Sequence, residues 1–114
     1  MDNKDNTIFL KHILECVEKI ELFVQGFDFE QFRQDSKTTD AVVRNVEVIG
    51  EAATNLTRDF RSNNSQVEWR KIIATRNRII HGYATVDLEI IWNIAKSDLG
   101  NLKTEIEKIL ENLN

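Results

Sequence analysis

Between residues 7 and 25 the apolar side chains Phe9, Ile13, Cys16, Val17, Ile20, Phe23 and Val24 recur every three or four positions, the period of a helix with one buried face. Gly26 ends this helix, and Asp28 followed by Gln31 has the spacing of a capping box for a short helical segment over 29–33. A second long helix opens within 36–40 and runs to about residue 56, with Val42, Val46, Ile49, Ala53 and Leu56 on one side. Gly50 lies inside it; a mid-helix glycine costs about 1 kcal/mol of propensity, which makes sense where another backbone passes closely. Residues 57–66 have no period and a loop composition. Ser65 and Glu68 repeat the capping-box spacing, and Trp69, Ile72, Ile73, Ile79 and Ile80 then mark the buried face of a third long helix that stops near Gly82. Asp87 looks like the cap of a final helix, in which Leu88, Ile91, Ala95, Leu99, Leu102, Ile106, Ile109 and Leu113 repeat. Four long helices on short to moderate connections predict an all-α fold: an antiparallel bundle of four to five helices, one domain over residues 1–114.

Composition narrows this further. The 114 residues contain no proline, where average usage would place about six, and uninterrupted helices follow naturally. A chain of this size builds one core, which leaves doubly wound nucleotide folds and barrels poor fits. Cys16 stands alone and no Cys/His cluster has zinc spacing, so neither an internal disulfide nor a structural metal is expected, and a reducing compartment fits. The polar start and the shortness of every apolar run predict neither a signal peptide nor a membrane span, hence a cytoplasmic location.

The net charge of −4 argues against nucleic acid until it is resolved along the chain. Residues 1–57 carry −5 and residues 84–114 carry −3, whereas 58–83 set Arg58, Arg61, Arg70, Lys71, Arg76 and Arg78 against Asp59 and Glu68, a balance of +4. On a helical wheel turning about 100° per residue from Trp69, Arg76 falls at about 340°, among Ile72, Ile73, Ile79 and Ile80, while Lys71 and Arg78 point outward near 200° and 180°. An inward guanidinium is expensive unless it meets a carboxylate, a phosphate or a wet cleft. Glu47 or Glu51 could close a structural ion pair; an anionic ligand is the other reading. His81 follows five residues later and Tyr83 two beyond that. On an unbroken helix five residues turn about 140°, so Arg76 and His81 diverge. Either Gly82 ends the helix just before His81 and the imidazole swings back, or two chains share the site about a two-fold axis. His12, at the edge of the apolar face of the first helix, reads as structural.

Arg76-Asn77-x3-His81-x-Tyr83 resembles the Arg-x4-His-x-Tyr motif of the HepT-like branch of the HEPN superfamily, and 44–53, with Ile49-Gly50-Glu51-Ala52, is similar to that branch's Ile-Gly-Glu-Ala helix. The resemblance covers nearly the whole chain. It implies a homodimerising, metal-independent ribonuclease without cofactors, the toxin of a HEPN/MNT toxin–antitoxin pair, with an MNT-type nucleotidyltransferase antitoxin as partner and room for a larger assembly with it. It further implies that the antitoxin attaches AMP to Tyr83. The chemistry is coherent: RNA supplies its own nucleophile in the 2′-hydroxyl, imidazole with a pKa near 6.5 suits proton transfer, and a planar guanidinium suits phosphate. Arg76 and His81 are the expected catalytic residues, Asn77 the holder of His81 or of a phosphate oxygen, Arg44 and Glu51 a structural network supporting Arg76, and Arg58, Arg61, Arg70 and Arg78 contacts for the RNA backbone. The competing expectation is a non-catalytic helical adaptor that binds nucleotide or docks a nucleotidyltransferase.

Overall fold

Six aliphatic or thiol side chains, Leu10, Ile13, Cys16, Val17, Ile20 and Val24, are buried along one side of α1 (Asn3–Val24), and their spacing is what commits this stretch to a helix packed on a core. The computed structural model describes residues 3–81 and 86–113, with side chains over 5–80 and 86–113. Burial raises the Cys16 thiol above its ordinary pKa, with Lys19 opposing and Glu15 adding to the shift. Gly26 then takes φ +79°, a left-handed turn that a residue with a Cβ adopts only under strain, and the chain reverses.

α2 (Phe29–Gln34) opens with the expected capping box: Gln31 N–H donates to Asp28 Oδ1 at 2.8 Å and Asp28 N–H to Gln31 Oε1 at 2.9 Å. Phe32 is buried, with its ring centroid 5.1 Å from that of Trp92. α3 (Ser36–Asn55), capped by Asp35, buries Val42, Val46, Ile49 and Ala53 and is the central helix, packed between α1 and α5 (Trp69–His81). The last stretch runs as α6 (Leu88–Asn93), a π-helical stretch over Ile94–Asp98, and α7 (Leu99–Leu113). Asp87 caps α6 as its sequence indicates, accepting from the N–H of Glu89 at 3.0 Å.

Two polar links fix the directions of the helices. Asn6, only 2% exposed, accepts from the Thr57 N–H at 3.1 Å, which places the start of α1 beside the end of α3. Lys103 at the start of α7 meets Glu21 near the end of α1 at 3.2 Å. Both pairs of helices therefore run antiparallel. Among the described residues there is no strand, and no helix is long and apolar enough to cross a membrane. The all-α bundle is as expected.

Several local expectations give way. The supposed loop at 57–66 contains α4 (Arg58–Asn63), because Thr57 accepts from the Phe60 N–H at 3.1 Å and Phe60 drops into the core beside Trp69. Ser65 and Glu68 do not form a capping box: the Glu68 carbonyl accepts from Ile72 N–H, so Glu68 sits at the cap of α5 rather than inside its first turn. The final helix is not continuous, since the π-helical stretch inserts a wider turn between Asn93 and Leu99. His12 is exposed, not packed. α5 is less enclosed than its isoleucines imply: Trp69 is buried, Ile72, Ile73 and Ile79 are partly buried, and Ile80 is 41% exposed.

Candidate active site

The register of α5 sets Arg76 against the one position of α3 that has no side chain. A Cβ on residue 50 would overlap the Arg76 Cβ and lie 2.9 Å from its Cγ and 3.2 Å from the Ile72 carbonyl oxygen. Gly50 is therefore the point of close approach that its place inside α3 implied, and the stem of Arg76 fills the space. The Arg76 stem lies in the α3–α5 seam, and the residue is partly buried. Its Nη1 donates to Asn77 Oδ1 at 2.9 Å, while Nε is buried and has no hydrogen-bond partner among the described residues. Nor does any carboxylate among those residues pair with it.

Glu47 and Glu51 thus do not play the part of structural counter-ion. Glu47 is taken by Arg44 at 3.4 Å, three residues away on the same helix, and Glu51 is exposed. The expected Arg44–Glu51 network under Arg76 is replaced by this local Arg44–Glu47 pair. Asn77 holds the arginine through its side-chain oxygen. The resulting unit is a cation with one N–H tied to Asn77 and its other donors without a partner among the described residues, the chemistry of an anion receptor.

His81 is the last residue of α5, so the helix does not end before it. Its side chain, and all of Tyr83, lie outside the described residues. Arg58, Arg70 and Arg78 are exposed, and Arg78 points outward as the wheel requires. Arg61 on α4 is partly buried, and its Nε also lacks a hydrogen-bond partner among the described residues.

A groove of about 510 Å³ opens between α5 and α7, floored by Val46, Ile49 and Leu102 and edged by Lys71 and Thr75. Arg76 does not line it, and it offers neither an aromatic face for a base nor a cluster of cations for a phosphodiester. The α3–α5 seam, not this groove, is the candidate site.

The sequence profile of the family described as "Ribonuclease HepT-like" matches residues 13–109. The chain belongs to the ribonuclease HepT-like family. Among its relatives, a Thermococcus cleftensis protein named "Probable ribonuclease HepT" is 39% identical over 101 residues, covering 89% of this chain and 92% of the relative. A Methanocaldococcus jannaschii protein named "Putative RNase MJ0127" is 40% identical over 113 residues, 99% of this chain and 93% of the relative. From the same organism, "Gamma-glutamylcyclotransferase and putative RNase MJ0434" is 39% identical over 111 residues, and there the chain spans half of the relative's length. No solved structure matches the chain. Ribonuclease activity is the family-level function.

Proposed function

We propose that this HepT-like chain is a metal-independent endoribonuclease and the toxin of a HEPN/MNT toxin–antitoxin pair. Arg76 binds the scissile phosphate and offsets the charge of the phosphorane; His81 moves protons. The 2′-oxygen attacks phosphorus, the bond to the 5′-oxygen breaks, and that oxygen leaves with a proton, giving a 2′,3′-cyclic phosphate and a 5′-hydroxyl. The observation that carries the reading is Arg76, its stem seated in the α3–α5 seam and its Nη1 held by Asn77, with Nε unbonded and no carboxylate paired with it among the described residues.

A helix that includes His81 turns that residue about 140° from Arg76, which favours a site that takes its arginine and its histidine from different chains. The half-open isoleucine face of α5, with Ile80 at its exposed edge, gives a second copy an apolar surface on which to pack. Tyr83 is the proposed acceptor of AMP: its phenolic oxygen displaces pyrophosphate from ATP on the nucleotidyltransferase partner, and the added negative charge and bulk two residues from His81 oppose an RNA phosphate. Arg58, Arg70 and Arg78 provide salt-sensitive attraction for the RNA backbone.

Purified, unmodified protein incubated with RNA in the presence of EDTA tests the proposal. Fragments ending in 2′,3′-cyclic phosphate are expected, and should disappear with Arg76→Ala and with His81→Ala. Cleavage that survives both changes removes the site; no cleavage by the wild type leaves the adaptor reading in its place.

A further inference from the structure

A guanidinium on three methylenes loses much rotamer freedom when it is held in one direction, so a site that depends on its aim needs something to fix the stem. Two features do so for Arg76. Asn77 Oδ1 holds Nη1 from the solvent side. From the other side, the bare Cα of Gly50 lets Cβ and Cγ of Arg76 sink into α3, close enough that any Cβ at position 50 would collide with them. Gly100 supplies the contrast. It too lies within a helix, yet a Cβ there would meet nothing within 4 Å.

We propose that Gly50 is a positioning residue for Arg76: its missing side chain sets how deep the arginine stem lies in the α3–α5 seam, and so where the guanidinium meets a substrate phosphate. This rests on the ribonuclease reading above. A methyl group at position 50 must push α5 outward or swing the stem aside, and a misplacement of about 1 Å in a catalytic arrangement can reduce rate about a hundredfold.

The test compares Gly50→Ala with Gly100→Ala in the full chain by three readouts: kcat for RNA cleavage, affinity for a 2′-O-methyl RNA oligonucleotide that cannot be cleaved, and the Nε–Hε resonance of Arg76 in a ¹H–¹⁵N spectrum. Gly50→Ala is expected to lower kcat and affinity by about tenfold or more and to move the Arg76 resonance; Gly100→Ala should leave all three unchanged. A folded Gly50→Ala protein with wild-type affinity and an unmoved resonance overturns the proposal. Wild type that binds the oligonucleotide but cleaves nothing would instead remove the ribonuclease reading, and the affinity and resonance arms still decide the role of Gly50. If Gly50→Ala does not fold, Gly50→Ala combined with Arg76→Gly decides: recovery of a cooperative melt supports the contact, and no recovery overturns it.

Discussion

The Arg76 Nε has given up water without gaining a partner among the described residues, an arrangement that ordinarily works against folding. Its removal should therefore be harmless to the fold. Arg76→Met keeps most of the stem volume in the Gly50 hollow and discards the charge, so we expect stability within about 0.5 kcal/mol of wild type, or higher, alongside lost cleavage. A thermal melt beside the cleavage assay checks this; a drop of several kcal/mol would mean that the guanidinium is structural. Much of the residue scale was readable from spacing. The wheel put Arg76 on the apolar side, and the helix-interior glycine announced a close approach. What spacing did not convey was which residue filled that approach. It also misjudged Arg44 and Glu51, since seven residues on one face counted for less than the three that separate Arg44 from Glu47.

At the scale of elements, α4 shows where periodicity fails. Six residues make fewer than two turns, too few for a repeat to emerge, and the surviving signal was the cap: Thr57 followed by Asp59 in the first turn and Phe60 as the buried anchor. Thr57 also receives a bond from Asn6 Nδ2 at 3.4 Å, so one hydroxyl serves both the helix start and the α1–α3 junction. Thr57→Ala should destabilise the protein by about 1–2 kcal/mol, whereas Ser62→Ala on the exposed side of α4 should shift it by less than about 0.5. Denaturant unfolding of the two variants separates them. The π-helical stretch was hidden for a different reason. Ile90, Ile91, Trp92, Ile94 and Ala95 put apolar groups on several faces at once, and an extra residue in the turn leaves no gap in so dense a pattern.

For the whole molecule, the bundle class followed from four long periods and an absence of proline, but those periods assume that each apolar face meets its own chain. α5 breaks that assumption. Its wheel includes Ile80 on the inner side, yet Ile80 is 41% exposed, which we read as a face awaiting a second copy. If the proposed dimer forms through this face, Ile80→Asp should give a monomer in sedimentation equilibrium, keep the helical circular dichroism, and reduce the proposed cleavage together with dimerisation. A variant that stays dimeric would place the pairing surface elsewhere.

α5 differs from α1 and α3 in how it is held. It packs chiefly on α3, whereas α1 is gripped by α3, α7 and the π-helical stretch. A helix secured along one flank is the first to loosen when a bundle breathes, because fewer apolar groups must be wetted for it to move. On the reading proposed above, the arginine rides on a strut secured mainly along one flank, and small hinge-like excursions of that strut would let a bulky polynucleotide enter and its fragments leave while the α1–α3 pair stays shut.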